Sequence, residues 1–353
     1  MARTERYVVG LDIGPSKVCC MIAEVHEDRG VHIVGIGESA SRGLRKGIVV
    51  NLDATVSAVK AAVAQAELMA GVQVDTAIVG IAGGHVRSFN SRGVIAVSGR
   101  DRTVSREDLG RVMDAARAVS IPQDREILHV LPQEFVLDEQ GGIHSPVGMT
   151  GSRLEANVHI VTAASTSVQN LVTCANHAGI EVREPILEQL AIAETVLTPD
   201  ERELGVALID IGGGTTDVAI FERGALWHTA TLPVGGDLFS NDLAVGLRTP
   251  VVDAERLKLR HGCALASMVQ ENDSIEVPTV GDRKPPRSLS RQVMAEILQP
   301  RAEELFTLLH EEIVRAGFDR VLNAGVVLTG GGSLLPGVAE VAEQVFELPV
   351  RPG

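Results

Sequence analysis

The sequence predicts an α/β protein of two related domains, and three observations carry that reading. One short device occurs twice, as Val8-Val9-Gly10-Leu11-Asp12-Ile13-Gly14-Pro15-Ser16-Lys17 and as Leu208-Ile209-Asp210-Ile211-Gly212-Gly213-Gly214-Thr215-Thr216-Asp217. The 353 residues exceed what one ordinary core serves. The chain is 45% apolar but only 3% aromatic, so small aliphatic side chains must fill the cores, which suits tightly packed α/β layers.

Each copy of the device reads as a buried strand, a carboxylate, a small-residue turn and a returning strand, Val18–Ile22 after the first turn and Val218–Phe221 after the second. Val31–Glu38 is a further strand, Asp53 opens a helix with Val56, Val59, Val63 and Ala66 on one face and Gly71 at its end, and Thr76–Ala82 is a buried strand. This β-β-β-α-β order differs from the strict βαβ of a dinucleotide-binding fold. From Gly83 to about His159 the texture changes to an inserted α+β subdomain. It has a strand at Val94–Val97 and a capping box, Ser105 to Asp108, before a helix with Leu109, Val112, Met113, Ala116 and Val119 on one face. The segment His129–Leu137 and a loop rich in Gly and Pro lead to a strand at Leu154–Val161. Helix Ser167–Ala178 returns to the first layer. In the second half, Asp237–Gly246 and Asp253–His261 read as helices, 271–289 as a polar β excursion, and Ser290–Ala316 as a long helix interrupted at Pro300. Val326–Thr329 is a strand feeding Gly330-Gly331-Gly332, and Leu334–Phe346 a last helix.

Glycine turns let backbone N–H groups approach phosphate oxygens, and an aspartate at each strand end suits a hydrated Mg²⁺. Asp12 and Asp210 are therefore the expected metal carboxylates, and two such turns would clamp a nucleoside triphosphate from opposite sides. Thr329-Gly330-Gly331-Gly332-Ser333 again follows a buried strand, and its glycines permit contact with a base or sugar. Gly235-Gly236-Asp237 ends a strand and opens a helix, where anions are favoured. Glu255 and Lys258, three apart on one helix face, read either as a surface ion pair or as a bracket for a nucleoside.

The net charge of −14 argues against a general nucleic-acid binder. Cys19, Cys20, Cys174 and Cys263 show neither C-x-x-C nor metal spacing with His, and four thiols in so long a chain suit a reducing cytosol. Met1–Tyr7 is followed by no signal-peptide core, and no apolar run reaches membrane-spanning length. The expectation is a cytoplasmic protein.

The order of these elements resembles the actin, sugar-kinase and DnaK-type ATPase superfamily. The resemblance implies an actin-like α/β fold of two RNase H-like domains flanking a nucleotide cleft that holds ATP and Mg²⁺. Asp12, Gly14, Ser16 and Lys17 would belong to the first phosphate loop. Asp210, Gly212, Gly213, Gly214, Thr215 and Thr216 would form the second, and Gly330, Gly331, Gly332 and Ser333 the adenosine loop. Pro185–Glu194 resembles the connecting helix near the γ-phosphate, which makes Glu188 and Gln189 the candidates for hydrolysis, with slow hydrolysis or none equally open. The chaperone branch carries a Glu and a Lys at the spacing of Glu255 and Lys258, contacting the nucleoside.

Within that superfamily the insert is similar to that of the FtsA family of bacterial cell-division proteins. The strings are Gly80-Ile81-Ala82-Gly83-Gly84-His85, Asn90-Ser91-Arg92-Gly93, Asp124 to His129, Pro132-Gln133-Glu134-Phe135 and Gly148 to Glu155. The resemblance implies subdomain 1A at 1–83 and 163–199, 1C at 84–162, 2A at 200–236 and 300–353, and 2B at 237–299. It implies a filament-forming adaptor at the division septum that binds the C-terminal tail of FtsZ, self-associates into protofilaments and meets other divisome proteins through 1C. The basic cluster Arg283, Lys284, Arg287 and Arg291 would receive the acidic, apolar tail. The family continues past Gly353 through a last piece of its first domain, a linker and an amphipathic helix on the cytoplasmic side of the inner membrane. These 353 residues lack that helix, so the expectation is a fragment that binds membrane only through the missing segment. The rival readings are a small-molecule kinase, a chaperone-like ATPase and another actin-like scaffold. A kinase would need an acceptor motif that the sequence does not show, a chaperone would need a following substrate domain, and the insert strings argue against another scaffold.

Overall fold

A computed structural model describes residues 7–26, 30–99, 101–270, 272–280 and 285–353. The chain divides into two compact units, Met1–Ile192 with Phe221–Thr229 and Ala193–Ile220 with Ala230–Gly353.

The first unit starts with three antiparallel strands, β1 (Tyr7–Ile13), β2 (Lys17–His26) and β3 (Gly30–Ala40). Apolar residues alternate along β1, so Val9, Leu11 and Ile13 enter the core. A two-stranded hairpin, β4 (Leu44–Arg45) and β5 (Ile48–Val49), precedes α1 (Leu52–Ala70). The Asn51 side chain caps α1 by accepting from Ala54 N, and Gly71 ends it in the left-handed conformation. Val59, Ala62, Val63 and Ala66 turn inward onto the sheet. β6 (Thr76–Ile81) then pairs parallel with β1.

The insert follows as β7 (Val86–Ala96), α2 (Arg106–Arg117), β8 (Arg125–Leu137), β9 (Gln140–Ile143) and β10 (Arg153–Ala164), in the sheet order β7-β10-β8-β9. Its strands are longer than Val94–Val97 and Leu154–Val161, because β10 pairs along nearly its whole length with both neighbours. The capping box at Ser105 and Asp108 forms as the sequence predicts. Val104, Val112, Ala116, Phe135, Leu154, Val158 and Ile160 give the insert its own core. α3 (Ser165–His177) and β11 (Glu181–Leu187) complete the first sheet, in the order β11-β6-β1-β2-β3.

One boundary differs from the expected connecting helix. Pro185–Leu187 belong to β11, paired with Val79–Ile81 of β6, and α4 (Glu188–Val196) starts only at Glu188. β11 is the edge strand, where a proline costs no ladder hydrogen bond.

The rest of the chain runs α5 (Pro199–Leu204), β12 (Val206–Ile211), β13 (Thr216–Glu222), β14 (Ala225–Leu232), α6 (Gly236–Leu247), α7 (Val251–His261), β15 (Ser274–Val277), β16 (Arg287–Ser290), α8 (Arg291–Ala316), β17 (Val326–Thr329), α9 (Val338–Phe346) and β18 (Val350–Pro352), and all of it but Phe221–Thr229 belongs to the second unit. Its sheet order, β14-β13-β12-β17-β18, repeats that of the first when the latter is read from β3 to β11. In both, the strand bearing the aspartate pairs parallel with the strand after the helices, β1 with β6 and β12 with β17. The excursion predicted between α7 and α8 is an antiparallel hairpin of β15 and β16. α8 is not interrupted at Pro300. Leu298, Ala302, Leu305 and Phe306 on either side of the proline are all buried in one core, and that packing holds the helix together through the missing N–H. A short 3₁₀ turn, Gly331–Leu334, separates β17 from α9, so the last helix begins later than Leu334.

Candidate functional site

The two devices fold alike. Gly14 N donates to Lys17 O at 3.0 Å and Gly212 N donates to Thr215 O at 2.9 Å, so each turn closes with the same offset from its aspartate. A Cβ added at Gly14 or at Gly212 would meet that carbonyl at 3.1 Å in both cases. The duplication read from the sequence is therefore a duplication of backbone geometry.

Around the second turn the predicted residues converge. Gly236 N donates to Gly212 O at 2.9 Å and Asp237 N to Gly213 O at 2.8 Å, which seats the N-terminus of α6 on the turn. Gly235 is required there, because a Cβ would lie 2.6 Å from Gly213 O and 2.8 Å from Thr215 N. Lys258 Nζ donates to Gly236 O at 2.9 Å and pairs with Glu255 at 2.7 Å. Loss of water pushes the Asp237 carboxyl up, Lys258 pulls it back and Glu255 adds to the rise. Gly330 approaches from β17 with φ of +82°, and a Cβ on it would strike Asp210 Oδ1 and Ile211 O. Ser333 Oγ closes the glycine loop by donating to Gly330 O at 2.7 Å. Asp210, Gly212–Gly214, Gly235, Gly236, Glu255, Lys258 and Gly330–Ser333 thus share one end of the second unit, beyond the C-terminal ends of the parallel strands β12 and β17.

The threonine hydroxyls of this turn bond within the protein. Thr216 Oγ1 donates to Val234 O at 2.8 Å and Thr215 Oγ1 to Asp217 Oδ2 at 3.2 Å, both from buried positions. Their hydroxyls brace the hairpin, so the donors the turn has left are backbone N–H groups.

In the first unit, Asp12 lies at the mouth of its turn. Partial loss of water pushes its carboxyl up and Lys17 pulls it down. Lys17 pairs with Glu38 at 2.7 Å, both side chains being more than half exposed. Glu188 stands over Gly80, whose added Cβ would lie 2.7 Å from its Oε1. Gln189 is 2% exposed and its Oε1 has no partner, an orphaned acceptor at the start of α4. His129, which the sequence reading did not single out, accepts from Leu187 N at 3.0 Å and so ties the insert to the residue before Glu188. Its signal, a histidine in an apolar strand, is too common to identify.

Of the basic cluster, Arg283 and Lys284 lie outside the described residues. Arg287 donates to Leu247 O, and Arg291 donates to His261 O at 2.7 Å and pairs with Asp273 at 3.3 Å. Both arginines staple the β15–β16 hairpin to α6 and α7.

Among the described residues, no three His, Cys, Asp or Glu cluster as a protein-only metal site. The donors that are present fit a cation held through water. They are hard carboxylates at strand ends, each beside a turn whose amides favour phosphate.

The chain matches the profile of "Cell division protein FtsA" over residues 207–353 and that of the "SHS2 domain inserted in FTSA" over residues 83–162. It is 52% identical to the cell division protein FtsA of Pseudomonas aeruginosa, over 99% of this chain and 83% of that protein. The chain belongs to the FtsA family. The FtsA of Escherichia coli K12 is 42% identical over 100% of this chain and 85% of its own length. The solved PilM-PilN type IV pilus biogenesis complex aligns with a TM-score of 0.69 at 16% identity, covering 100% of this chain and 89% of that one. MreB5 of Spiroplasma citri bound to ADP aligns with a TM-score of 0.59 at 15% identity, covering 99% and 92%. These structural likenesses place the FtsA-family chain in the actin-like fold, and it is an actin-like cell-division protein. No helix among the described residues is long and apolar enough to cross a membrane.

Proposed function

We propose that this chain is the ATP-binding, filament-forming part of an adaptor that joins FtsZ to the inner membrane at the division septum and engages later divisome proteins through its insert. The observation that carries the nucleotide reading is the repeated turn, with matched closing hydrogen bonds of 3.0 and 2.9 Å beside Asp12 and Asp210. In this reading the turn amides of Gly213–Thr215 hold phosphates, that of Gly212 being used to close the turn. Asp12 and Asp210 hold Mg²⁺ through water, and Ser16 and Lys17 neutralise the flank. Gly330–Gly332 admit the nucleoside. A Mg²⁺ held there would supply screening of the phosphate charge. Glu188 and Gln189 would orient any attacking water, and the unpartnered Gln189 Oε1 has the chemistry to accept from it.

Binding of ATP favours longitudinal contacts between copies. Arg287 and Arg291 serve the FtsZ tail as well as their own hairpin, so charge reversal there weakens tail binding and loosens β15–β16 together. The test is sedentation of the chain with Mg-ATP, with and without an FtsZ-tail peptide, alongside Asp210→Ala and Gly213→Asp. The parent pellets with ATP and carries the peptide, while both variants lose ATP binding in calorimetry. A variant that binds ATP like the parent removes the assignment of these turns.

A further inference from the structure

The hairpin of β13 and β14 has a braced base and a tip held by polar side chains. Its base joins two glycine turns, Gly212–Gly214 before β13 and Gly235–Gly236 after β14, which bond each other through Gly236 N and Gly212 O at 2.9 Å. Thr216 Oγ1 donates across it to Val234 O at 2.8 Å, and Thr231 Oγ1 donates to Asp217 Oδ1 at 2.5 Å. Arg223 and Gly224 close the tip with φ of +51° and +74°, a tight turn whose twist matches that of paired strands. The tip, Phe221–Thr229, belongs to the first unit. There Gln133 Nε2 of β8 donates to Leu226 O at 3.1 Å, Trp227 O at 3.4 Å and Asn90 Oδ1 at 3.2 Å. Ser88 Oγ of β7 donates to Thr229 O at 3.1 Å and accepts from Thr229 Oγ1 at 2.8 Å. His159 of β10 bonds Asn90 Oδ1 through Nδ1 at 2.7 Å and faces Thr229 Oγ1 through Nε2 at 3.3 Å.

Gln133 is 4% exposed and His159 1%, so this polar set is buried. The opposite face of the same sheet is apolar, with Leu154, Val158 and Ile160 of β10 in the insert's core. Apolar packing would hold the tip more cheaply, whereas buried hydrogen bonds add little net stability and fix one geometry. Three of the acceptors are main-chain carbonyls, of Leu226, Trp227 and Thr229, so the contact follows the position of the backbone. It is also short of protons. Gln133 has two amide protons for three acceptors. The amide oxygen of Asn90 fixes the imidazole proton on Nδ1, which leaves the single hydroxyl proton of Thr229 to serve both Ser88 Oγ and His159 Nε2. A contact so balanced can tighten or slacken with small movements of the tip. We propose that the β13–β14 hairpin is a lever, in which a phosphate-bearing ligand that fixes the glycine turns at its base also fixes its tip, and the tip sets how firmly the strands of the insert are held. This rests on the nucleotide reading above and gives the insert a means of sensing that ligand.

The experiment is hydrogen exchange, read by mass spectrometry, on the parent chain, Gln133→Met and Thr229→Val, each with and without saturating Mg-ATP, with calorimetry to confirm that the ligand binds. Coupling between two sites is worth about fivefold or more in an equilibrium, so Mg-ATP slows exchange in β7 and β8 of the parent by about that factor. Both variants still bind Mg-ATP, and in both the slowing disappears. Thr229→Val keeps the shape of the side chain and decides the matter alone if Gln133→Met melts. If the contact were only a structural brace, the variants would exchange faster with and without Mg-ATP by the same factor, and the slowing would persist. That result, or a parent that binds Mg-ATP with no change in the insert, overturns this inference and leaves the nucleotide reading standing. A parent that does not bind Mg-ATP overturns that reading and the inference with it.

Discussion

Gly330→Ala should damage the protein where Gly331→Ala, one residue on, should not. Gly330 has φ of +82°, and a Cβ there would meet Ile211 O at 2.6 Å as well as Asp210 Oδ1. The left-handed backbone costs an L-residue about 1–2 kcal/mol. Forcing a methyl against a backbone carbonyl in a packed region adds about 1–3 kcal/mol. The sum, about 2–5 kcal/mol, is a large share of the roughly 5–15 kcal/mol that holds a domain folded. At about 2–4 °C per kcal/mol for a unit of this size, the second unit should melt about 4–20 °C lower. Gly331 has no atom within 4 Å of its added Cβ and no positive φ, so its substitution stays within about 0.5 kcal/mol. Scanning calorimetry of the two variants and the parent reads the difference directly. Because Gly331→Ala leaves the fold intact, any loss of ATP affinity in it reports ligand contact alone. A Gly330→Ala protein that melts within 1 °C of the parent would refute the steric argument.

Acid should loosen the two units in different, partly overlapping windows, the first unit starting at higher pH. Burial pushes His159 down from 6.5 to about 3 and lowers His85 and His129 as well, all in the first unit. The unfolded chain then binds protons that the folded one refuses, so stability present above pH 6.5 is lost as pH falls toward about 3. Trp227, assigned to the first unit, makes urea unfolding readable by fluorescence, and a midpoint that stays flat between pH 7.5 and 5 contradicts this. Glu201 is held down from 4.5 to about 2, chiefly by hydrogen bonds from Arg351 and then from its Thr198 cap. Its contribution is present above pH 4.5 and fades as pH falls toward 2, and Arg351→Met should abolish most of that slope in calorimetry of the second unit. Lys17→Ala should weaken ATP binding in a salt-dependent way, whereas Glu38→Gln, which breaks only an exposed ion pair, should leave affinity equal or slightly higher. Equal losses in both variants would show that the pair acts as a unit.

The repeated device was legible because both of its copies are local, each a strand, an aspartate and a turn within ten residues. The helices with printed caps were legible for the same reason, Asn51 and Gly71 on α1 and Ser105 with Asp108 on α2. What escaped the sequence was set by distant partners. Pro185 reads as a helix start until β6 is present to pair with it. Pro300 reads as a break until one core is seen to receive both flanks of α8. Glu255 and Lys258 announce themselves by spacing, but Ser240 lies 15 residues from Glu255 and joins them only when α6 packs on α7. The acceptors of the Thr215 and Thr216 hydroxyls, Asp217 and Val234, are likewise visible only in the fold.

The duplication also explains why the two turns carry different side chains. Their backbones close alike, so geometry alone gives each the same capacity to approach a phosphate. Their residues then divide the labour. Pro15 removes one amide from the first turn, and that turn carries a cation, Lys17, whose hydrogen-bonded partner Glu38 is exposed, so that it can swing away at little cost. The second turn places glycines at all three central positions and spends both of its hydroxyls on bracing the hairpin. One copy is built to supply mobile charge and the other fixed dipoles. Fixed dipoles need no reorganisation when an anion arrives, and a mobile charge can follow it as it leaves. Under the proposed nucleotide reading, a device that binds and releases a phosphate-bearing ligand has use for one of each, which would be reason for two copies of one backbone to keep their shape while diverging in their side chains.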